Sequence, residues 1–313
     1  MGSDEGLGRR RWSVSGNTIV FARVSTLVCF HAHPDDEALS TGGLMARAAS
    51  AGHRVVIVAA TRGEQGEPQP GVLADGELLW QRRVDELAES ARVLGAEEPR
   101  FLGYEDSGMM GELTNNNEAC FWQADVAEAA QKLAAILVDV DADVLTIYDD
   151  HGLYGHPDHI QVHRVGLAAA ELCELTAVYE ATVNRDRAQE SFAEMSAHME
   201  QELEGDGHLD QDNTPTADEL ESFGLPASEL AYAVDVTDQL EAKRASMVAH
   251  RSQIADDSFF LALPPEIFAK MFGIEWFAIP ESLRQDSFHQ QHQPGGVPNL
   301  TFVDLLPGLD PTA

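Results

Sequence analysis

Short apolar segments alternate with helix-like segments along the first 180 residues, and this alternation limits the fold more than any other feature of the sequence. Five segments have the length and the apolar content of buried strands, and a segment with helical spacing separates each from the next. Strands that alternate with helices form a parallel sheet covered by helices on both faces. We predict strands at residues 25–30, 54–60, 100–103, 143–148 and 176–183, and helices at residues 37–51, 78–94, 126–138 and 159–172.

The chain divides into four segments of different character. Residues 1–20 are polar and predict a flexible N-terminus, and residues 21–184 hold the alternating pattern. Residues 185–230 are acidic and poor in aliphatic side chains, which predicts an excursion of helix and loop away from the sheet. Residues 231–313 contain a further strand, a helix and a tail that complete the domain. The predicted fold class is therefore α/β, a Rossmann-like and mostly parallel sheet with an appended C-terminal portion.

The net charge and the cysteine content limit which binding partners and which cellular compartment we expect. The 53 acidic residues outnumber the 20 basic ones and give a formal charge of −33. Nucleic acids and anionic membranes need clustered Lys and Arg, so we expect neither as a main partner. No apolar run approaches the ~20 residues of a membrane span. Cys29, Cys120 and Cys173 are scattered and lack CxxC spacing, which predicts reduced thiols in a cytoplasmic protein. The oligomeric state stays open.

Two clusters of histidines and carboxylates follow the first and the fourth predicted strands. The first is HAHPDDE at residues 31–37, and the second is YGHPDH at residues 154–159. The carboxyl ends of strands in an open parallel sheet lie along one edge, where ligands bind. We therefore expect the two clusters to meet there, although more than 100 residues separate them in the sequence.

The composition of the two clusters suits a catalytic zinc site with one divalent ion per chain. Such a site uses about three nitrogen or oxygen ligands and leaves a position for water, which becomes a usable nucleophile near neutral pH. A nearby carboxylate that is not a ligand can take the proton of that water. The adjacent Asp35 and Asp36 allow this division, because successive side chains point in different directions. Ligand type alone also permits iron(II) or cobalt.

With these motifs the sequence resembles the PIG-L/LmbE family of zinc-dependent de-N-acetylases over residues 25–183. The resemblance implies that His33, Asp36 and His159 are the zinc ligands and that Asp35 is the general base.

The resemblance also implies roles for three residues of the second cluster. His156, oriented by Asp158, would act on the tetrahedral oxyanion or on the leaving amine, and Tyr154 would assist at the oxyanion.

A narrower resemblance links the chain to the mycothiol branch of that family. It is carried by TRGEQGE at residues 61–67, by DSGM at residues 106–109 and by the segment at residues 243–253. The branch contains the deacetylase of N-acetylglucosaminyl-inositol and the amidase of mycothiol S-conjugates. By position, three residues match those that hold the sugar-inositol substrate in that branch, namely Glu67, Arg83 and Asp106.

The combined prediction is a zinc-dependent hydrolase that removes an N-acetyl group from a small-molecule amino-sugar conjugate of the N-acetylglucosaminyl-inositol type. One alternative is cleavage of a larger amide, as by the mycothiol S-conjugate amidase or another amide hydrolase of the family. A second is a non-enzymatic sugar-binding protein that keeps the metal site. A dinucleotide-binding oxidoreductase would need a GxGxxG turn after the first strand, where this sequence has HPD at residues 33–35.

Overall fold

An eight-stranded mixed sheet lies at the centre of the structure, a computed structural model that describes residues 10–15, 18–191, 222–293 and 300–309. Two further strands, β1 and β2, pair only with each other in the described part of the chain. The strands are β1 (Arg10–Ser15), β2 (Thr18–Arg23), β3 (Thr26–His31), β4 (Arg54–Ala59), β5 (Arg100–Phe101), β6 (Val144–Tyr148), β7 (Val178–Thr182), β8 (Tyr232–Asp235), β9 (Ile274–Ala278) and β10 (Thr301–Val303).

The strand order across the sheet is β10-β8-β9-β7-β6-β3-β4-β5. Strand β9 runs antiparallel to both of its neighbours, β7 and β8. All other neighbouring pairs of this sheet are parallel. The prediction of a mostly parallel sheet is therefore confirmed.

Helices cover both faces of the sheet. The described helices are α1 (Asp36–Ser40), α2 (Gly42–Ala51), α3 (Leu79–Leu94), α4 (Val126–Val140), α5 (Gly152–Gly155), α6 (Pro157–Leu172), α7 (Leu240–Ala249), α8 (Phe259–Ala262), α9 (Pro265–Phe272) and α10 (Ser287–His292).

Strand β3 shows why the central strands are apolar on both sides. Leu27 and Cys29 belong to the core that contains residues of α2 and α3, whereas Val28 and Phe30 belong to the core that contains residues of α4 and α6. A parallel strand covered on both faces has no polar face, so its sequence is a continuous apolar run. The first polar side chains after this run therefore emerge at the carboxyl edge of the sheet.

The topology brings the two polar clusters to the same edge. Strands β3 and β6 are parallel neighbours, with Leu27 opposite Val144. The first cluster follows the carboxyl end of β3, and the second follows that of β6. This arrangement places the two clusters side by side.

Local geometry differs from the sequence prediction at two helix starts. The helix predicted at residues 37–51 is two helices, α1 and α2, separated at Thr41. The Thr41 hydroxyl lies 3.0 Å from Nε2 of His31, and a Cβ on Gly43 would lie 2.5 Å from Val236. Helix α2 therefore begins where the C-terminal portion packs closely against the core. Helix α6 begins at Pro157, two residues earlier than predicted, because proline suits the first helical position.

The chain outside residues 21–184 contains strands that the sequence pattern did not reveal. Strands β1 and β2 lie largely within the segment predicted to be flexible, and its mobility stays a prediction.

Most of the predicted acidic excursion, residues 192–221, lies outside the described residues. The C-terminal tail supplies β9 between β7 and β8 and adds β10 at the edge of the sheet. Both strands are short, and β9 takes its place through contacts with strands that are distant in the sequence.

Candidate metal centre

Asp36 lies between two histidines that come from different clusters. Its Oδ2 is 3.3 Å from Nδ1 of His33, and its Oδ1 is 3.4 Å from Nε2 of His159. Two ligand atoms bound to one tetrahedral zinc ion at about 2.0–2.1 Å lie about 3.3 Å apart. Each histidine therefore approaches a different oxygen of Asp36 at about that separation. Among the described residues, ligand atoms of His33, His156 and His159 also lie within 4.8 Å of one another, so this cluster could hold a divalent ion.

The imidazole of His159 has no hydrogen-bond partner at either nitrogen among the described residues. The ring is buried and stacks on Tyr148, with 4.4 Å between the ring centroids. A buried polar group without a partner costs about 1–3 kcal/mol. A metal ion on this ring would remove that cost, and a set of two nitrogens and one oxygen suits zinc, iron(II) or cobalt.

The charge of Asp36 is stabilised by the two histidines. Burial alone would raise its pKa, but His159 and His33 hold the pKa of this carboxyl well below its usual range. The backbone N–H of His33 also donates a hydrogen bond of 2.8 Å to its Oδ2. Asp36 therefore stays an anion, which is the form that binds a cation.

Asp35 adopts a backbone conformation that is strained for a residue with a side chain. Its φ is 113° and its ψ is −30°. Although Asp35 precedes α1, its carboxylate makes no capping hydrogen bond, and its backbone N–H instead donates to Oε2 of Glu37 at 2.9 Å. Burial raises the pKa of the Asp35 carboxyl to about 6, with Arg83 opposing the rise and Asp36 adding to it. Residues with strained backbones concentrate at functional sites.

Arg83, predicted to bind substrate, is buried beneath Asp35. Its guanidinium donates hydrogen bonds to the carbonyl of Gly63 at 2.9 Å, to the carbonyl of Pro34 at 2.6 Å and to Oδ2 of Asp35 at 3.1 Å. Only 4% of the residue is exposed. The predicted contact with substrate stays a prediction, and the contacts of Arg83 in the structure hold Asp35 and the loop around it.

The other two residues predicted to bind substrate lie in different surroundings. Asp106 is buried, and its Oδ1 lies 3.4 Å from Nε2 of His33. Burial raises its pKa, but His33 more than offsets this, and the pKa of Asp106 falls below its usual range. Glu67 is exposed on the loop after β4, and no contact in the described residues ties it to the cluster. The structure therefore brings Asp106 to the centre and leaves Glu67 on the rim.

His156 packs against two other histidines of the cluster. Its ring centroid lies 4.7 Å from that of His33 and 5.1 Å from that of His159. Its Nδ1 accepts a hydrogen bond of 3.1 Å from the backbone N–H of Asp158. In the neutral ring the proton is thus on Nε2. Burial, followed by the neighbouring histidines, lowers the pKa of His156 to about 3, so the ring is a neutral hydrogen-bond donor.

Among the described residues, the carboxylate of Asp158 contacts His33 and Ser107, and the orientation of His156 by this carboxylate, which the resemblance implied, stays a prediction. Its Oδ2 lies 3.2 Å from Nε2 of His33, and the hydroxyl of Ser107 donates to its Oδ1. Asp158 is fully buried in the first turn of α6, which points this side chain across the sheet edge. The hydrogen bond between Asp158 and His156 in the structure comes from the Asp158 backbone.

Tyr154 is the most exposed of the predicted site residues that lie near the centre. Its side chain is at the surface, and its ring centroid is 5.0 Å from that of His159. It belongs to the short helix α5, where the preceding Leu153 has a φ of 65°. Its position beside the ring of His159 is compatible with the predicted contact to an oxyanion.

Several supporting residues received no role from the sequence. Oε1 of Glu37 lies 2.6 Å from Nε2 of His250, 213 residues away in the chain. His31 contacts the Tyr148 hydroxyl at 2.8 Å and is therefore a core group. Ser107 and Glu37 both belong to motifs visible in the sequence, but no local pattern identifies their distant partners.

Comparisons with known proteins place the chain among deacetylases. A family model described as PIG-L, GlcNAc-PI de-N-acetylase, matches residues 28–170. A 1D-myo-inositol 2-acetamido-2-deoxy-alpha-D-glucopyranoside deacetylase of Acidothermus cellulolyticus is 40% identical over 267 residues, covering 82% of this chain and 89% of the relative. The protein of the same name from Salinispora arenicola is 37% identical over 294 residues, covering 90% and 91% of the two chains.

Two solved structures share the fold. The N,N'-diacetylchitobiose deacetylase from Pyrococcus horikoshii, complexed with its inhibitor MPG, has a TM-score of 0.51 at 21% identity and covers 82% of this chain and 84% of its own. A deacetylase of the teicoplanin biosynthesis pathway has a TM-score of 0.52 at 16% identity and covers 81% and 97% of the two chains. Within the described residues, no helix is both long enough and apolar enough to cross a membrane.

Proposed function

This chain belongs to the PIG-L family of de-N-acetylases, and from that premise we propose that it removes the acetyl group from 1D-myo-inositol 2-acetamido-2-deoxy-α-D-glucopyranoside. The observation that carries the proposal is a cluster of three potential metal ligands beside an aspartate that has a strained backbone and makes no helix-capping hydrogen bond. The reaction adds water across an amide bond and yields acetate and a free amine.

The proposed ligands are Nδ1 of His33, a carboxylate oxygen of Asp36 and Nε2 of His159. The contacts of 3.3 and 3.4 Å between the two histidines and the two oxygens of Asp36, together with the unpartnered ring of His159, support this assignment. We propose zinc as the native ion. When bound, such an ion polarises the amide carbonyl and makes a water molecule more acidic.

Asp35 is the proposed general base. It would accept a proton from the attacking water while the water oxygen forms a bond to the acetyl carbon. Its pKa of about 6 leaves the carboxylate mostly ionised at neutral pH, yet basic enough to hold a proton briefly. The Asp35 backbone N–H donates a hydrogen bond to Glu37, and its carboxylate accepts one from Arg83. These two bonds hold the backbone and the carboxylate of Asp35 in place.

His156 and Tyr154 are the proposed donors to the developing negative charge. The proton on Nε2 of His156 can stabilise the oxyanion and can then pass to the leaving nitrogen as the C–N bond breaks. Single donors of this kind contribute roughly 2.7–4 kcal/mol to the transition state. Asp106 and the exposed Glu67 are proposed to hold hydroxyl groups of the sugar or the cyclitol, and the roles of these four residues stay proposals.

We also propose a cytoplasmic location. The three cysteines of the chain are all free thiols, and two of them, Cys29 and Cys120, are buried. Free thiols persist in a reducing compartment.

Acetate release by the purified protein tests the proposed function. The panel contains the sugar-inositol substrate, N-acetylglucosamine and a mycothiol S-conjugate, and each is assayed before chelation, after chelation and after zinc is returned. We expect about one divalent ion per chain and acetate release that is highest with the sugar-inositol compound, lost on chelation and restored by zinc. Full activity in metal-free protein contradicts the hydrolase mechanism, and preferential cleavage of the S-conjugate replaces the proposed substrate with the larger amide.

A further inference from the structure

We propose that Asp158 is a positioning residue for the metal ligand His33 and not for His156. The inference deepens the proposed function, since it rests on the metal site. In this inference the buried carboxylate of Asp158 holds Nε2 of the His33 ring, while Nδ1 of the same ring faces Asp36.

The two nitrogens of His33 face different carboxylates. Nδ1 lies 3.3 Å from Oδ2 of Asp36, whereas Nε2 lies 3.2 Å from Oδ2 of Asp158. A neutral imidazole carries one proton, and a carboxylate that accepts it at Nε2 leaves the lone pair of Nδ1 for a metal ion. Carboxylates that hold the second nitrogen of a ligating histidine also fix the ring orientation and raise its basicity.

The carboxylate of Asp158 is itself fixed in place. Its Oδ2 accepts the backbone N–H of Ser107 at 2.9 Å, and its Oδ1 accepts the Ser107 hydroxyl. The Ser107 carbonyl in turn accepts hydrogen bonds from the Thr114 hydroxyl at 2.8 Å and from the Asn115 side chain at 2.7 Å. The loop after β5 therefore holds Asp158, and Asp158 holds the ligand.

His156 does not need this carboxylate. It receives a hydrogen bond from the backbone N–H of Asp158 at 3.1 Å, and any residue except proline at position 158 supplies that donor. Removal of the charge at position 158 should therefore disturb His33 directly and leave the main-chain bond to His156 intact. Asp106 is a second carboxylate neighbour of the ring, with its Oδ1 3.4 Å from the same Nε2 of His33.

The test measures metal affinity and does not depend on turnover. Zinc affinity is determined by competition with a chromogenic chelator for the parent and for Asp158→Asn, and the visible absorption spectrum is recorded for both proteins loaded with cobalt(II). Loss of such an outer carboxylate weakens metal binding about 10–100-fold, so we expect that loss together with an altered cobalt spectrum. Asp149→Asn is the matched control. It also removes a buried carboxylate next to β6, but one that contacts His151 and Thr182, and we expect parental affinity.

Parental zinc affinity and an unchanged cobalt spectrum in Asp158→Asn, with a lower kcat, would overturn the proposal. That result would instead support the role in which Asp158 orients His156. If Asp158→Asn does not fold, Ser107→Ala removes the hydroxyl that donates to Asp158. Weaker zinc binding then supports the proposal, and unchanged binding overturns it. A parent protein that binds no metal contradicts the proposed function itself, whereas a metal-binding parent with an unaffected Asp158→Asn contradicts only this inference.

Discussion

Two buried polar networks lie near α1 and α2, and they are satisfied to very different degrees. The proposed metal centre comprises His33, Asp36 and His159. The second network, here called the C-terminal anchor, consists of Lys243 and Glu275. In the anchor the two carboxylate oxygens of Glu275 accept the first backbone N–H groups of α2 at 2.7 and 2.8 Å, and the Lys243 ammonium pairs with Glu275 and donates to the carbonyl of Leu39 at 2.9 Å.

The C-terminal anchor shows the full pairing expected of polar groups that stabilise a fold, whereas the metal centre shows the incomplete pairing expected of groups that bind a ligand or react. The anchor joins α7 and β9 to the start of α2, and its charges and donors are matched by partners. The metal centre leaves the His159 ring without a hydrogen-bond partner in the described part of the chain, and the neighbouring Asp35 has a φ of 113°. Strain and unmet hydrogen bonds persist in a native protein only where the surrounding structure maintains them.

The largest expected effect on the site is that of Asp35→Asn. Asparagine has nearly the same shape but cannot accept the proton, so kcat should fall about 10²–10⁴-fold while the metal content stays at the parental level. Metal analysis and acetate release on the same preparation measure both quantities. A metal-loaded and fully active Asp35→Asn enzyme would remove the proposed base.

Asp36→Asn is the adjacent control for that experiment. Because Asp36 is a proposed ligand, metal affinity and activity should fall together, and an excess of metal should restore part of the activity. Excess metal should not restore activity in Asp35→Asn. If the two variants behave alike, the division between base and ligand is wrong.

Lys243→Met tests the contribution of the C-terminal anchor to stability. Removal of one partner of a buried ion pair typically destabilises a protein by about 3–5 kcal/mol. We expect a loss of that size in the free energy of unfolding by urea, with zinc affinity and kcat of the folded protein near parental values. Lys132→Met is the control, because Lys132 is exposed and its ammonium lies over the ring of Tyr104. Equal stability of the two variants would show that the anchor contributes little.

Arg83→Ala distinguishes the contact to Asp35 from a contact to substrate. A hydrogen bond to a charged group contributes about 1.5–3 kcal/mol, so kcat should fall roughly 10–100-fold with a small change in KM. Arg82→Ala is the matched control, because Arg82 pairs with Glu77 and should leave kinetics unchanged. A higher KM at parental kcat would instead support the contact with substrate that the sequence predicted.

The smallest expected effect concerns His250, which contacts Glu37 between the two networks. Burial lowers the pKa of His250, but Glu37, followed by Asp35 and Glu86, raises it above its usual range. A folded-state pKa above the unfolded value of about 6.5 means that this stabilisation is complete below about pH 6.5 and is lost as the pH rises through the raised pKa.

The glutamine variant at this position removes the titration. Between about pH 6 and about pH 9, the unfolding free energy of the parent should decrease more than that of His250→Gln. Unfolding by urea at both values measures the difference. An identical pH dependence in the two proteins would show that folding does not change the pKa of His250.

Local patterns in the sequence were sufficient for the core of the fold and for the convergence of the two clusters. The apolar runs that became β3 and β6 are buried on both faces, and parallel strands always present their carboxyl ends to one edge. The HPDDE and HPDH motifs follow those ends directly. Periodicity and motif position depend on neighbouring residues, so they can be recognised without knowledge of the rest of the chain.

Only the tertiary structure decided which groups the buried side chains contact. No local pattern indicates the contact between Glu37 and His250, across 213 residues, and the predicted meeting of the two clusters does not pair the Asp158 carboxylate with His33, across 125. Strand β9 likewise enters the sheet antiparallel between two strands that its own five residues do not identify. The physical reason is that a buried polar group is satisfied by whichever partner the packed chain brings within about 3 Å, and distance along the sequence carries no information about that partner.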